Sequence, residues 1–153
     1  MAGASGFSAL ELDSPVGPLL LATAADQVVG IAFEGQDWDG LMLTLEDRFG
    51  DASGIPSPVL EQAATELDEY FAGLRRSFTV QADPGRQTPF GSSVLAAVAR
   101  IPFGETRAYS DVARSIGKPT AVRAVASACA RNPVAIVVPC HRVVPATGGP
   151  GEY

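Results

Sequence analysis

Val138-Pro139-Cys140-His141-Arg142-Val143-Val144 is the stretch of sequence that decides how the rest of the chain is interpreted. It places Cys140 next to His141, which is the only histidine among the 153 residues. A thiol acts as a nucleophile only after it loses its proton, and an adjacent base or cation favours that loss. Free cysteines are also common as small buried apolar residues. From adjacency alone, a reactive and a structural Cys140 are equally good interpretations.

Hydrophobic residues make up 46% of the sequence, which indicates a folded protein with a packed core. The length of 153 residues fits one medium domain or two small ones. No run approaches the ~20 apolar residues that a membrane span needs. The first residues lack the basic and apolar regions of a secretory signal. We therefore expect a cytoplasmic protein that does not associate with a membrane.

The potential metal ligands are few. Two cysteines do not make a disulfide framework in a chain of this length. The spacing of Cys129, Cys140 and His141 matches no standard zinc pattern. We expect neither a metal nor any other cofactor.

Charge is distributed unevenly along the chain. Residues 1–85 hold fourteen acidic residues and three arginines, for a net charge of −11, whereas residues 86–153 hold three acidic and eight basic residues, for +5. This pattern favours contact between the second half and a polyanion, although a chance division between surface faces would look the same. Ten of the eleven basic residues are arginine, which suits contacts to phosphates and base edges.

Residues 1–85 are predicted to form an α/β domain. Apolar runs at 7–12, 19–22 and 28–33 predict a three-stranded antiparallel meander. Residues 41–49 fit a short helix, and Ser57-Pro58 begins a longer one that buries a single stripe. Residues 77–80 could add a strand. The polar segment at 82–87 predicts the boundary between a domain at 1–85 and one at 86–153.

Residues 86–153 predict three helices, at 88–100, 111–116 and 119–131. The second and third, joined by a glycine-containing turn, have the outline of a helix-turn-helix. Ordinary packing of a helical bundle gives the same outline. Cys129 lies on the apolar stripe of the third helix, which predicts a core residue rather than a second nucleophile.

Several motifs of the second half resemble those of the O6-alkylguanine-DNA alkyltransferases in order and spacing. They are Pro102-Phe103-Gly104-Glu105-Thr106, Tyr109, Arg123-Ala124-Val125, Asn132-Pro133 and Pro139-Cys140-His141-Arg142-Val143. Residues 116–130 look especially similar to the C-terminal domain of adaptive-response members. The resemblance covers 88–153 strongly and 7–80 moderately, where 13–19 matches the N-terminal hairpin. It implies an α+β protein, with a small antiparallel sheet and helices of ribonuclease H-like fold followed by a winged helix-turn-helix-like domain for DNA binding and alkyl transfer.

The resemblance also implies a function in DNA repair. Proteins of this family flip an O6-alkylguanine out of duplex DNA and transfer its methyl or other alkyl group to a cysteine, here Cys140. Because the resulting thioether does not hydrolyse, each molecule would act once, as a self-inactivating methylated-DNA–protein-cysteine S-methyltransferase. The implied partner is double-stranded DNA that contains O6-alkylguanine, and we expect the chain to act as a monomer.

Roles for individual residues follow from the same resemblance. His141 would be the base, acting through a bridging water, because neighbours in a strand point to opposite faces. Asn132 would be the third catalytic residue, holding the turn before the active-site strand. Arg123 would fill the space left by the flipped nucleotide. The other implied contacts to DNA are Tyr109, Ala124, Ser127 and Arg131. The base pocket would include Val143 and Tyr153, and the carbonyls of Cys140 and Val143 would accept hydrogen bonds from the base.

The sequence departs from the family at its C-terminal end. Family members continue past the equivalent of Tyr153 into a final helix, with a glutamate that orients the histidine. We therefore expect a truncated member with reduced or lost activity. A non-catalytic or regulatory module that binds alkylated DNA, and an inactive remnant, are the alternatives. Leu95 stands where the family commonly has tryptophan.

Overall fold

The computed structural model describes residues 6–53 and 55–146. The chain divides into two compact units, Met1–Pro84 and Gly85–Tyr153. Each unit contains helices and a small sheet, so the predicted α+β class is confirmed. Within the described ranges, no helix has the length and apolar character needed to cross a membrane.

The sheet of the first unit has four strands in the order β3-β2-β1-β4. Its antiparallel strands are β1 (Phe7–Leu12), β2 (Leu19–Ala24) and β3 (Gln27–Phe33), as the meander predicts. The prediction missed β4 (Ala52–Ser53), which pairs in parallel with β1. The predicted strand at 77–80 is wrong, because these residues pair with no strand and the isolated bridge to Val28 is made further along, by Ala82.

Two helices belong to this unit. Asp37 caps α1 (Trp38–Phe49), which begins three residues before the predicted start. Ser57 caps α2 (Pro58–Phe71) by accepting a hydrogen bond from the Leu60 N–H, as a serine before a proline predicts. The apolar core on one side of the sheet contains Phe7, Ala22, Ala24, Val29 and Leu45.

Among the described residues of this unit, Glu66 is the charged residue that is buried, with only 3% of its surface exposed. Its carboxylate accepts hydrogen bonds from Gln62 Nε2 at 3.0 Å, from the Thr79 N–H at 2.8 Å and from the Val80 N–H at 3.4 Å. The Thr79 hydroxyl donates a further bond. Burial alone would raise the pKa of Glu66, but these hydrogen bonds together lower it below its ordinary value. One side chain of α2 thereby fixes the irregular segment at 79–80.

The second unit packs three helices around a small parallel strand pair. The helices are α3 (Pro89–Ala99), capped by Thr88, then α4 (Tyr109–Ser115) and α5 (Val122–Ala130). Strand β5 (Arg107–Ala108) pairs with β6 (Val143–Val144). The core between these elements includes four fully buried valines: Val94, Val98, Val125 and Val134.

Three local predictions in the second unit are wrong. Helix α4 begins at Tyr109, two residues before the predicted start. Helix α5 begins at Val122 rather than Pro119, because the chain still turns through residues 119–120. The residues Cys140–Arg142 form a 3-10 turn rather than part of a strand, and β6 begins only after it. Cys140 and His141 are therefore not neighbours on opposite faces of a strand, as the sequence predicted.

Candidate active site

Asn132 organises the segment that joins α5 to the 3-10 turn. Its side-chain Nδ2 donates hydrogen bonds to the Val138 carbonyl at 2.9 Å and to Cys140 Sγ at 3.4 Å. Its Oδ1 accepts from the Val134 N–H at 3.0 Å, and its own N–H donates to the Cys129 carbonyl at 3.2 Å. The residue is buried, so these bonds replace the hydration that its amide has lost. Asn132 thus ties the end of α5 to the sulfur of Cys140.

The backbone between these residues is tightly folded. The Val138 N–H donates to the Val134 carbonyl at 3.1 Å, which closes a turn around Ile136. Ile136 has a φ of 73°, in the left-handed region that β-branched residues rarely adopt. Its side chain is buried, and this packing holds the residue in its strained conformation.

Cys140 is buried, with 1% of its surface exposed, and Cys129 lies beside it with 2% exposed. The two thiols interact directly. The hydrogen bond with Cys129 and then burial raise the pKa of Cys140, and the Asn132 amide opposes this increase. The same thiol–thiol hydrogen bond lowers the pKa of Cys129. The burial of Cys129 was predicted from the apolar stripe of α5, but its contact with Cys140 was not.

His141 is exposed, unlike the cysteine before it. Partial desolvation of its ring, followed by the nearby positive charge of Arg142, lowers its pKa from the ordinary value. The imidazole is therefore neutral near pH 7 and has a nitrogen free to accept a proton. Among the described residues, no hydrogen bond joins His141 to Cys140. The two side chains are adjacent in sequence but not directly linked.

Arg142 is a site residue for which the sequence predicted no role. Its Nη1 donates to the Ile101 carbonyl at 2.6 Å, and its guanidinium lies 5.7 Å from the centre of the Phe103 ring. These contacts anchor the 3-10 turn to the segment after α3. Arg142 belongs to the motif around Cys140, but its partner Ile101 lies 41 residues earlier in the chain, so no local sequence pattern predicts this contact.

The residues predicted to contact DNA lie mainly on one side of α5. Helical spacing places them within about 100° of one another, and all four are exposed: Arg123, Ala124, Ser127 and Arg131. The opposite side of the helix carries the buried residues Val125, Ala128 and Cys129. Helix α5 therefore has an exposed basic side and, on its opposite side, the buried Cys129 that contacts Cys140.

The remaining predicted site residues are spread over other elements. Tyr109 is the first residue of α4 and is half-buried. Val143 is buried at the start of β6, directly after the 3-10 turn. Tyr153 lies outside the described residues. Within the described part of the chain, no group of three or more histidine, cysteine or carboxylate side chains could hold a metal ion.

Family models match both units. Residues 11–84 match the ribonuclease-like domain of 6-O-methylguanine DNA methyltransferase, and residues 89–153 match its DNA-binding domain. These matches agree with the fold expected for each half of the chain.

Individual relatives extend this result over most of the chain. The constitutive methylated-DNA–protein-cysteine methyltransferase of Bacillus subtilis is 38% identical over 86% of this chain and 77% of its own. The Mycobacterium leprae protein of the same name is 38% identical over 90% of this chain and 78% of its own. Among solved structures, Mycobacterium tuberculosis O6-methylguanine methyltransferase superposes with a TM-score of 0.80, at 36% identity, over 96% of this chain and 84% of that one.

A second solved structure shows Mycobacterium tuberculosis OGT in complex with DNA. It superposes with a TM-score of 0.79, at 37% identity, over 97% of this chain and 83% of that one. The suggested likeness to adaptive-response members in particular stays a prediction. The chain belongs to the family of methylated-DNA–protein-cysteine methyltransferases, enzymes that repair DNA by transferring an alkyl group to one of their own cysteines.

Proposed function

We propose that this chain removes alkyl groups from O6-alkylguanine in duplex DNA and that Cys140 is the acceptor. The observation that carries the proposal is the hydrogen bond from Asn132 Nδ2 to Cys140 Sγ, within the motif that the family shares. An N–H donor aimed at a sulfur stabilises the thiolate more than the thiol. Asn132 therefore counteracts the rise in the pKa of Cys140 that the contact with Cys129 and burial cause.

The transfer is a single displacement at the alkyl carbon. The Cys140 sulfur forms a bond to that carbon while the bond from the carbon to guanine O6 breaks, and O6 takes the electron pair. The thiol proton passes through a bridging water to His141 and ends on the guanine, which leaves as the ordinary base. A neutral His141 suits this role because it can accept the proton and return it.

Burial of Cys140 sets a condition on the reaction. Since 1% of this residue is exposed, an alkyl carbon reaches the sulfur only when neighbouring side chains move aside. The substrate base must also leave the duplex, because an atom inside a stacked pair cannot be approached in line. Entry of the flipped base and uncovering of the sulfur are therefore one event in this proposal.

The exposed side of α5 is the proposed contact to DNA. Arg123 would enter the base stack, Arg131 would meet a phosphate, and the small side chains of Ala124 and Ser127 would let the helix approach the groove closely. Tyr109 would contact the flipped base or its phosphate. Residues 86–153, with a net charge of +5, form the proposed domain for DNA binding and transfer, and residues 1–85 the N-terminal α/β domain.

We further propose that the chain acts as a monomer in the cytoplasm. One chain carries both the basic helix face and the acceptor sulfur. Two adjacent free thiols are characteristic of a reducing compartment.

Intact mass measurement after incubation with a duplex that contains O6-methylguanine tests the proposal. The parent chain should gain one methylene on the peptide that contains Cys140, and Cys140→Ala should gain none. Cys129→Ala is the matched control, because it removes the neighbouring thiol and leaves the acceptor. A parent chain that folds but gains no mass at excess substrate would reject alkyl transfer.

A non-catalytic module that binds alkylated DNA is the second candidate, and the burial of the Cys140 sulfur favours it. Tight binding of the methylguanine duplex by the parent, with no adduct and with binding lost in Arg123→Ala, would support this function instead. Loss of binding in Arg123→Ala together with adduct formation by the parent would leave alkyl transfer as the function.

A further inference from the structure

Cys129 is a nucleophilic side chain that the proposed transfer does not use. It lies on α5, eleven residues before Cys140, and its thiol contacts the Cys140 thiol inside the second unit. Asn132 bonds to both cysteines, through its N–H to the Cys129 carbonyl and through Nδ2 to Cys140 Sγ. Asn132 thus holds the sulfur of Cys140 and the backbone of Cys129, and both cysteines are buried, with 1% and 2% of their surfaces exposed.

We propose that Cys129 is a resolving cysteine for Cys140: on oxidation by a peroxide the two sulfurs form a disulfide, which a dithiol reductant reverses. Formation and reversal of the disulfide do not depend on the function proposed above. Its effect on repair does rest on that function, because a sulfur held in a disulfide cannot accept an alkyl group.

The oxidation proceeds in two balanced steps. In the first, one sulfur attacks a peroxide oxygen, the O–O bond breaks, and a sulfenic acid and water form. In the second, the other thiol attacks the sulfenic sulfur, the S–O bond breaks, and the disulfide forms with a second water. Both thiols together lose two hydrogens, and hydrogen peroxide supplies the oxidising equivalents.

The thiol of Cys129 would protect Cys140 from irreversible oxidation. A sulfenic acid without a nearby thiol is oxidised further to sulfinic acid, which dithiol reductants do not restore. The lowered pKa of Cys129 raises its thiolate fraction and so supports fast capture of the intermediate. Cys129 would convert irreversible loss of the acceptor into a reversible one.

Peptide mapping after mild oxidation tests this. The full chain, Cys129→Ala and Cys129→Ser are treated with hydrogen peroxide, blocked with iodoacetamide, digested with trypsin and analysed by mass spectrometry. Cleavage at Arg123, Arg131 and Arg142 places the two cysteines in separate peptides, 124–131 and 132–142. Circular dichroism before treatment checks that each variant is folded.

The parent chain should yield a cross-linked pair of these peptides, two hydrogens lighter than their sum, that dithiothreitol separates. Both Cys129 variants should instead gain two oxygens on peptide 132–142, and dithiothreitol should not remove them. A parent chain that shows the sulfinic product without the cross-link, or a disulfide only between two chains, would overturn the proposal. So would full recovery of the Cys140 thiol in both variants.

Transfer capacity is measured on the same samples with the methylguanine duplex. Oxidised parent should lose transfer and regain it with dithiothreitol, whereas oxidised Cys129→Ala should not regain it. Because the cross-link is read by mass alone, a parent that forms it but never transfers an alkyl group rejects the proposed function and not this inference. A parent that transfers alkyl groups but forms no cross-link rejects only this inference.

Discussion

In each unit of the molecule, a buried polar side chain on a helix or at its end holds an irregular segment in place. Glu66 does so in the first unit, where it accepts bonds from Gln62, Thr79 and Val80. Asn132 does so in the second, where its partners are Val134, Val138 and the sulfur of Cys140. In the first unit this device holds only the irregular segment, and in the second it also contacts the sulfur of Cys140, the proposed alkyl acceptor.

The two units also differ in what their helices expose. Residues 1–85 carry a net charge of −11, and α2 presents the exposed carboxylates Glu61 and Asp68. Residues 86–153 carry +5, and α5 presents Arg123 and small side chains. Only the second pattern favours approach to a polyanion. We therefore propose that the first unit serves folding and that the second serves binding and chemistry, and four measurements test this division of roles.

The largest effect is expected for Asn132→Ala. Removal of the amide leaves the Val134 N–H and the Val138 carbonyl buried without their partner, which should lower the free energy of unfolding by roughly 2–5 kcal/mol. Alkyl transfer should slow as well, because the sulfur loses its N–H donor. Urea denaturation and transfer kinetics measure the two effects. Ser115→Ala, in the same unit, should change neither appreciably, and an Asn132→Ala chain that matched it would contradict the assigned role.

Glu66→Ala should destabilise the chain by roughly 2–4 kcal/mol, since buried donors at 79–80 lose their acceptor. Urea denaturation measures this change. Its matched control is Glu69→Ala on the same helix, whose partly exposed ion pair with Arg75 should contribute less than about 1 kcal/mol. Transfer by the folded Glu66→Ala chain should equal that of the parent. Slower transfer at equal folding would show that the two units do not divide their roles as argued.

Arg123→Ala should weaken binding to a methylguanine duplex about tenfold, since an arginine that contacts bases contributes roughly 1–3 kcal/mol. Arg76→Ala, which removes an arginine from the acidic unit, should leave affinity unchanged. Fluorescence anisotropy with a labelled duplex at several salt concentrations measures both. Equal losses in the two variants would mean that net charge, rather than the α5 surface, controls binding.

The smallest effect is the pH dependence that Glu66 adds to stability. Its folded-state pKa lies below the ordinary value of 4.5, so its contribution is fully present above that value. The contribution is lost as the pH falls through the folded-state pKa. Urea midpoints measured from roughly pH 7 to pH 3 should therefore fall less steeply in Glu66→Gln than in the parent. Parallel curves would contradict the lowered pKa.

Local signals in the sequence predicted the helices that begin at a cap. Ser57-Pro58 and Thr88-Pro89 each combine a side-chain acceptor with a residue preset for the first turn, and both helices begin there. The antiparallel meander was predicted for a similar reason, because its strands are joined by short turns. These features depend on residues that are close together in the chain.

Features that depend on distant residues were missed. Strand β4 has only two residues and is defined by its pairing with β1. The 3-10 turn at Cys140–Arg142 depends on the hold of Asn132 and on Arg142 reaching Ile101. The contact between the Cys129 and Cys140 thiols results from packing α5 against that turn. Such contacts produce no periodic pattern within a short stretch of sequence, so they could not be predicted from it.

Ile136 shows how this packing constrains the evolution of the segment. Its left-handed backbone costs about 1–2 kcal/mol, while burial of its side chain contributes ~1.5–3 kcal/mol, and both belong to one residue. Glycine would remove the strain but leave a cavity, and alanine would keep the strain and lose the contacts. Position 136 therefore combines a backbone conformation that favours glycine with a buried environment that favours a large apolar side chain.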